Sequence, residues 1–365
     1  MQRRQSVVNL QSTIPKSKIV IHLQSSIYQK DMGNDNYFIR NCIPYLMNIE
    51  YHHPTEDDVE AMTEIINSSA KDLKHSVDNS VELVRTWTFG EKDYDPKGYL
   101  IGFAGSQPVV YGGSTISKSR LDNGHNDASV SLAVIPEWRY KSIEGHMFNA
   151  TFKFLRSRGI DSARFFTPEA SGWRNNMAME IGMEDIRHGY LMTCKNQGQP
   201  LNLPTPDGFQ FHHKMLDESS DSEISDFVDA FNDSFANHYN FSPSPVERFI
   251  KVRDEEAKTG ECKLRLTFAK KGDEIVGVCF YEINHQYNKQ NNSKAGWANI
   301  LGVRKPFRSL GLGRALLADA MCWFHEKGMD TIYLGVDAEN SKALDLYLSL
   351  GYAVEQEGIH YELIL

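Results

Sequence analysis

The chain has few cysteines and no long apolar run. Its 365 residues contain no stretch of about 18 apolar positions, so we expect no membrane-spanning helix. The five cysteines are widely spaced and form no C-x-x-C pair, which favours reduced thiols in a cytoplasmic protein over a disulfide framework or a zinc site. The pairs His52–His53 and His212–His213 are adjacent, and neighbouring strand residues face opposite sides. We therefore expect no metal.

Positive charge is also scarce. The formal net charge is −9, whereas a general nucleic-acid binder needs lysine and arginine to displace phosphate counterions. We therefore expect no nucleic-acid or membrane partner, and a monomer or homodimer in the cytoplasm. One local basic group remains, and it consists of Arg304, Lys305, Arg308 and Arg314.

One sequence pattern occurs twice along the chain. At a constant offset of 169, residues 134–189 align without a gap to residues 303–358, and Arg139 meets Arg308. The identities are few, but the order of elements is the same in both segments. Each reads as a strand, a polar turn, a helix, a glycine turn, a second strand and a second helix ending in glycine.

The repeat extends upstream at an offset of 165. Residues 103–112 and 268–277 both read as a hairpin whose second strand contains a glycine. Residues 56–67 and 223–235 both read as an amphipathic helix with a start that is acidic or rich in serine. The alternative is an accidental likeness between two unrelated α/β domains.

These patterns predict an α/β protein with two domains of similar topology. We expect an N-terminal extension over residues 1–46, a first domain over 47–195 and a second over 209–365. Between the domains, residues 196–208 are rich in proline and glycine and read as a linker.

The second copy contains a predicted anion site. A strand ending at Val303 is stopped by Pro306, and a helix begins beside Gly311 and Gly313. These glycines let the backbone pass close to a ligand. The free N–H groups at the helix start attract an anion such as pyrophosphate, and Arg314 adds charge nearby.

The spacing of this segment resembles the acetyl-CoA signature of the GNAT acetyltransferase superfamily, V-x-x-x-x-R/Q-x-x-G-x-G/A. Val303, Arg308, Gly311 and Gly313 occupy its fixed positions. A dinucleotide-binding fingerprint needs a third glycine three residues later, where this chain has Leu316.

A second segment resembles the GNAT pattern N-x-x-A-x-x-L-Y-x-x-x-G-F. It contains Asn340, Ala343, Tyr347 and Gly351, with Tyr352 in place of phenylalanine. From the residues alone, Asn340 reads as a helix N-cap and Gly351 as a helix end. In isolation Tyr347 reads as a core aromatic residue. Beside the first signature we interpret it as the acid that protonates a departing thiolate.

The resemblance implies two tandem GNAT-like domains, each with a mixed, mostly antiparallel sheet and a central parallel pair flanked by helices. It also implies acetyl-CoA as co-substrate. The residues expected to bind the coenzyme are Leu301, Gly302, Val303, Arg308, Ser309, Leu310, Gly311, Leu312, Gly313, Arg314, Asn340 and Ala343.

The general base departs from the family pattern. Several relatives place a glutamate on the strand where this chain has Trp297, Ala298 and Asn299. Glu282, on the preceding strand, is the predicted base, acting directly or through water. His285 is a second candidate, and both residues also read as solvated hairpin positions.

The first copy has lost the signature. At the offset of 169, Ser142 replaces Gly311, Glu144 replaces Gly313, Ser171 replaces Asn340 and Ala178 replaces Tyr347, and only Arg139 remains. We therefore predict that the first domain does not bind acetyl-CoA.

The resulting hypothesis is an N-acetyltransferase that moves an acetyl group from acetyl-CoA to an amine of a small molecule or peptide. The alternative is a non-catalytic acyl-CoA-binding or regulatory protein. A tandem aminoacyl transferase that uses aminoacyl-tRNA is disfavoured, because such relatives need no intact pyrophosphate turn, whereas this chain keeps one.

Overall fold

A computed structural model describes residues 49–169, 172–195, 203–239 and 241–365. The predicted extension, most of the predicted linker and Ser171 lie outside these ranges. We refer to residues 49–195 as the N-terminal half and to residues 203–365 as the C-terminal half.

Each half contributes six β-strands. Those of the N-terminal half are β1 Ile49–His52, β2 Tyr99–Ala104, β3 Gln107–Thr115, β4 Asp127–Val134, β5 Ser162–Thr167 and β6 Glu184–Lys195. Those of the C-terminal half are β7 Gln210–Met215, β8 Cys262–Lys271, β9 Glu274–Asn284, β10 Ala295–Val303, β11 Thr331–Asp337 and β12 Ala353–Ile364.

The helices repeat in the same order in both halves. The first half contains α1 Val59–Ala70, α2 Val81–Trp87, α3 Lys118–Asp122, α4 Ile143–Ser157 and α5 Trp173–Glu180. The second contains α6 Asp221–Phe235, α7 Val246–Thr259, α8 His285–Gln290, α9 Leu312–Glu326 and α10 Ser341–Ser349. Within the described ranges, none of these helices is both long and apolar enough to cross a membrane.

The predicted repeat is present in the fold. The two hairpins form as β2–β3 and β8–β9. The two predicted first helices form as α1 and α6, and Ser220 and Glu223 make a reciprocal capping box at the start of α6. Each half has one parallel strand pair, β4 with β5 and β10 with β11. The mixed sheet with a central parallel pair is therefore confirmed.

The sheet itself holds a feature that the sequence did not reveal. All twelve strands form one sheet, in the order β1-β2-β3-β4-β5-β12-β6-β11-β10-β9-β8-β7. The last strand of each half pairs with the fifth strand of the other half, β12 with β5 and β6 with β11. The two exchanged strands also pair with each other. Neither half has a complete sheet by itself.

The apolar cores follow this exchange. Ile359 and Tyr361 of β12 lie in the core cluster of the N-terminal half. Met192 and Cys194 of β6 lie in the core cluster beneath α9. Burying one large apolar side chain stabilises a fold by about 1.5–3 kcal/mol, so each half depends on the other half's strand.

Candidate active site

The site begins where the parallel strands β10 and β11 separate. Their pairing covers only residues 295–298 of β10 and 331–334 of β11. Beyond Ala298, β10 continues to pair with β9 on its other side. Residues 299–303 therefore lack a β11 partner, and the two strands open into a cleft that we call the β10–β11 cleft.

A β-bulge lies at the point of separation. The register of β10 against β9 shifts between Ala298 and Ile300, which leaves Asn299 as the extra residue. Bulges bend a strand and redirect its side chains, and they are frequent next to active sites. Here the bulge places Asn299 on the wall of the cleft.

The predicted anion turn lies at the mouth of this cleft. Ser309 and Gly311 both have positive φ, +65° and +84°, and Gly311 is the residue before the first turn of α9. This left-handed conformation favours glycine. Within the described residues no protein acceptor takes the N–H groups of Ser309 or Leu312, so the helix start can bind an anion.

Arg308 fixes the turn against the first helix of its half. Its Nε donates to the carbonyl of Val303 at 2.9 Å, and its Nη2 donates to the carbonyl of Ser234 at 2.6 Å. Nη1 has no partner among the described residues, and Arg308 lines the cleft. Arg308 therefore holds the backbone in place and keeps one donor for a ligand.

The other members of the basic group have different surroundings. Arg304 points away and pairs with Asp229 and Asp233 of α6 at 2.6 and 3.0 Å. Arg314 lines the cleft and donates to the hydroxyl of Ser349 on α10. Within this basic group, the positive charge available to a bound anion therefore comes from Arg308 and Arg314.

The cleft has a volume of about 530 Å³. Most of the residues predicted from the two signatures line it, namely Leu301, Gly302, Val303, Arg308, Ser309, Gly311, Gly313, Arg314, Asn340, Ala343 and Tyr347. Three predicted residues are not among its lining residues. Leu310 is half exposed, the side chain of Leu312 packs into the core, and Glu282 is a hydrogen-bond partner of Asn299.

Several lining residues were not predicted. Ser234, Phe235 and His238 come from the end of α6 and the turn after it, and Asp337 and Lys342 flank the start of α10. The repeat at an offset of 165 could have indicated Ser234, because its counterpart Ser69 also lies at the end of a first helix. The remaining residues carry no sequence signal for this site.

Tyr347 is buried within the cleft wall. Its ring is 8% exposed, and burial raises the pKa of its hydroxyl to about 12, with a smaller effect from Cys279. The hydroxyl makes no hydrogen bond to the described residues. It therefore stays protonated at neutral pH and is available to donate to a ligand in the cleft. Asn340 caps α10 by accepting from the N–H of Ala343 at 3.2 Å, as expected from the sequence.

Glu282 lies beside the cleft. It is opposite Trp297 in the β9–β10 pairing, and burial raises its pKa, while a hydrogen bond from Asn299 acts in the other direction. The side chain of Glu282 is therefore partly buried rather than fully exposed to solvent. His285 begins α8, after the end of β9.

His238 enters the same cleft from the opposite wall. Its ring lies 4.4 Å from that of Phe235. Burial lowers the pKa of His238, the charge of Arg308 lowers it further, and Asp337 acts in the other direction. The imidazole is therefore neutral at physiological pH and can accept a proton.

The N-terminal half keeps the backbone shape of the turn and places one of its own side chains there. Tyr140 and Ser142 have positive φ, like Ser309 and Gly311 at the offset of 169. Glu144 is buried, and its carboxylate accepts from the N–H of Tyr140 at 2.8 Å. The side chain of Glu144 thus supplies the anion of this turn from within the protein.

A second cavity, which we call the central cavity, adjoins the cleft. It has a volume of about 650 Å³ and shares Gly335, Val336 and Asp337 with the cleft. Its walls come from β5, β12, β6 and β11, and from the segments around Lys74 and Tyr239. Both halves therefore form this cavity. Within the described ranges, no group of acidic, histidine or cysteine side chains is arranged to hold a metal ion.

Residues 224–352 match the sequence profile of the acetyltransferase (GNAT) family. This segment runs from α6 through the anion turn to the end of α10, and includes the β10–β11 cleft. This segment is therefore a GNAT acyltransferase domain, and the N-terminal half repeats its order of strands and helices. GNAT acetyltransferases use acetyl-CoA together with an acceptor.

Relatives of known activity cover most of the chain. The chain is 23% identical over 281 residues to a mycothiol acetyltransferase of Catenulispora acidiphila, and the aligned residues cover 76% of this chain and 82% of the relative. It is 32% identical over 230 residues to a mycothiol acetyltransferase of Renibacterium salmoninarum, and these aligned residues cover 62% of this chain and 64% of the relative.

Solved structures share the fold. A GCN5-related N-acetyltransferase of Sphaerobacter thermophilus superposes with a TM-score of 0.62 at 18% identity, and covers 87% of this chain and 95% of its own. A tandem GNAT protein from the clavulanic acid biosynthesis pathway superposes with a TM-score of 0.66 at 13% identity, and covers 87% and 98% of the two chains.

Proposed function

We propose that this chain transfers an acetyl group from acetyl-CoA to a primary amine by direct attack in a ternary complex. One observation carries the proposal: the buried, protonated hydroxyl of Tyr347 lines the same cleft as the free helix start at Gly311. The first feature suits a departing thiolate, and the second suits a pyrophosphate.

The C-terminal half would bind the coenzyme. The N–H groups at the start of α9 and the free nitrogen of Arg308 would hold the pyrophosphate. The edge of residues 299–303 that lacks a β11 partner would hold the pantetheine arm and orient the thioester carbonyl. Fixed backbone N–H groups stabilise the charge that develops on such an oxygen, because they need no reorganisation.

Attack by the amine forms a C–N bond and breaks the C–S bond. The proton of the amine passes to a base on the protein. Tyr347 donates a hydrogen bond and then a proton to the sulfur as it leaves, and bulk solvent restores the phenol. Help of this kind is typically worth about 10²–10⁴-fold in rate.

Two side chains are candidates for the base. Glu282 has a raised pKa and does not line the cleft, so a proton would reach it through water. His238 lines the cleft directly and is neutral. An alkylamine with a pKa near 10.4 must lose a proton before it can attack. One of these two side chains would accept that proton.

Direct transfer is favoured over a covalent acetyl-enzyme. Cys279 is the cysteine that contributes to the raised pKa of Tyr347. It is fully buried, and burial raises the pKa of its thiol well above the usual range. A thiol attacks as the thiolate, so Cys279 is a poor nucleophile. Among the described residues, the lining of the cleft contains no cysteine.

The relatives suggest where the acceptor binds. The mycothiol acetyltransferases named above transfer acetyl groups, and we propose the same reaction type here with an acceptor in the central cavity. The cavity meets the cleft at Asp337, at the end of β11. An amine in the central cavity would therefore approach the coenzyme from the side opposite the pyrophosphate turn.

The test is steady-state kinetics with acetyl-CoA and a panel of primary amines. Thiol release together with an acetylated amine, detected by mass spectrometry, supports the proposal, as do intersecting initial-rate lines. Acetyl-CoA binding without turnover for any amine would favour the non-catalytic alternative. Parallel lines would indicate a covalent acetyl-enzyme.

A further inference from the structure

The central cavity carries an unequal distribution of charge. The charged side chains on its wall are Lys74, Arg164, Arg187 and Asp337. Three are cationic and one is anionic, although the whole chain has a net charge of −9. The cations differ in how well the protein neutralises them, and this difference points to a ligand.

Arg187 is fully neutralised by the protein. It contacts Asp337 and Glu339, each at 2.7 Å, and lies over the ring of Tyr239 at 4.2 Å. The hydrogen bond to Asp337 raises the pKa of Arg187 above its usual value. A further anion would therefore gain little from Arg187.

Arg164 is only partly neutralised. It lies 3.0 Å from Asp127, but Arg120 contacts the same carboxylate at 2.6 Å. Burial lowers the pKa of Arg164, and the nearby Arg120 also lowers it, despite the attraction of Asp127 and of Glu362, its cross-strand neighbour on β12. Its Nε is buried without a partner among the described residues. This guanidinium has unused capacity for an anion.

The rest of this end of the cavity is suited to a bound acid. His360 lies beside Phe166, with 4.6 Å between ring centres, and makes no hydrogen bond to the described residues. Burial lowers the pKa of His360, followed by the effect of Arg164. Its neutral ring can therefore donate one hydrogen bond. Lys74, on the opposite segment, has no ion-pair partner in the described part of the chain.

We propose that the acetyl acceptor is an anionic amine, whose carboxylate or phosphate binds Arg164 at the far end of the central cavity from the cleft. The inference rests on the proposed function, because it assigns the amine of the same molecule to the end near Asp337. The N-terminal half would then determine which acceptor is used, although its own coenzyme turn is lost.

The sheet also sets a minimum length for such an acceptor. Arg164 is on β5 and Asp337 is on β11, and β12 and β6 lie between them. Three strand spacings of about 4.8 Å give a sideways separation of roughly 14 Å. The register adds an offset of about 13 Å along the strands, because Arg164 is level with Glu362 of β12 and Asp337 is level with Gly358. Allowing for the reach of an arginine side chain, the amine and the acid should be at least roughly 8 Å apart. An α-amino acid is too short, and an extended ω-amino acid fits.

The experiment compares matched amines with the full-length chain. The probes are 8-aminooctanoate, its carboxamide and β-alanine, each with acetyl-CoA. We expect kcat/KM for 8-aminooctanoate to exceed that of the carboxamide and of β-alanine by about tenfold or more. Phosphoethanolamine and 6-aminohexyl phosphate distinguish phosphate from carboxylate in the same way. Equal use of acid and carboxamide would overturn the inference.

Variants then test the assigned residue. Arg164→Gln should raise KM for 8-aminooctanoate about tenfold or more and leave KM for the carboxamide and for acetyl-CoA unchanged, and Arg164→Lys should restore part of the effect. Arg120 still pairs with Asp127 in these variants. Arg158→Gln is the control, because Arg158 is exposed, pairs with Asp95 and does not line the cavity. An equal rise in KM for acid and carboxamide would reduce Arg164 to a structural role.

A binding titration separates this inference from the proposed function. If no amine is acetylated, the proposed function is wrong. Calorimetry of 8-aminooctanoate against wild type and Arg164→Gln then tests the acid site without catalysis. Binding that depends on Arg164 would support the site, and binding that is absent or equal in both proteins would overturn it.

Discussion

Arg139 and Arg308 make the same two contacts in the two halves of the chain. Each donates from Nε to the carbonyl of the valine five residues earlier, and from Nη2 to the carbonyl of Ser69 or Ser234. The halves differ at the third nitrogen. Nη1 of Arg139 donates to Asp72 at 2.7 Å, whereas Nη1 of Arg308 has no partner among the described residues.

This relationship predicts that the two arginines have the same effect on stability and different effects on acetyl-CoA binding. Arg139→Met and Arg308→Met should each lower the free energy of unfolding by about 1–3 kcal/mol, because each variant removes a donor from two carbonyl oxygens, although Ser69 keeps the hydrogen bond from Arg174. Only Arg308→Met should weaken acetyl-CoA binding, by roughly tenfold or more. Denaturant unfolding and calorimetry measure the two effects. Weaker binding in both variants would mean that Arg308 acts through folding alone.

The anion turn provides a second prediction. Gly313→Glu should abolish acetyl-CoA binding and leave the protein folded, because a carboxylate would then occupy the helix start. The protein has room for the side chain, since a Cβ on Gly313 would contact only Leu346 at 3.5 Å and Val303 at 4.0 Å.

The control for this variant is Gly145→Glu in the first turn of α4. A Cβ on Gly145 meets no atom within 4 Å, and Glu144 already occupies that turn. This variant should bind acetyl-CoA like wild type. Retained coenzyme affinity in Gly313→Glu, measured by calorimetry, contradicts the assignment of the turn.

Tyr347 provides a third prediction. Tyr347→Phe should lower kcat by about 10²–10⁴-fold with little change in acetyl-CoA affinity, because the change removes one proton donor. The matched control is Tyr352→Phe, since Tyr352 lies in the same cluster and its buried hydroxyl has no partner. An unchanged kcat in Tyr347→Phe, where chemistry limits the rate, removes this residue from the mechanism.

The identity of the general base provides a fourth prediction, which the pH dependence of kcat/KM tests. A base acts in its deprotonated form, and burial raises the pKa of Glu282 above the usual value of about 4.3. Activity that depends on Glu282 is therefore lost as the pH falls through this raised pKa. Glu282→Gln should remove that acid limb from the profile of kcat/KM.

His238 is the competing assignment for the same limb. Burial lowers its pKa below the usual value of about 6.5, so its neutral form is lost at a lower pH than for a free histidine. If His238→Gln removes the acid limb and Glu282→Gln leaves it in place, the base is His238.

The sequence predicted the elements and the coenzyme turn but not how the halves join. Helix periodicity, glycine positions and the repeat depend on local residues, and for this reason β10, α9 and the cap at Asn340 could be predicted. The exchange of β6 and β12 depends on pairing between strands far apart in sequence, which no local pattern encodes. Residues that line the central cavity, such as Arg164 and His360, lie on these exchanged and neighbouring strands.

The contact made by Glu144 could not be predicted from local sequence patterns either. The sequence placed a carboxylate where the coenzyme would need a glycine, and this predicted a lost site. It did not show that the carboxylate turns inward to accept from Tyr140. Such a contact depends on the left-handed backbone of the turn, which Tyr140 and Ser142 adopt without glycine.

The central claim is that one half binds the coenzyme and the other does not. The strand exchange means that the N-terminal half lacks β12 when it is made alone, so the full-length chain is the sample to use. Calorimetric titration with acetyl-CoA should give one saturable site per chain. Two sites per chain, or none, would contradict this account.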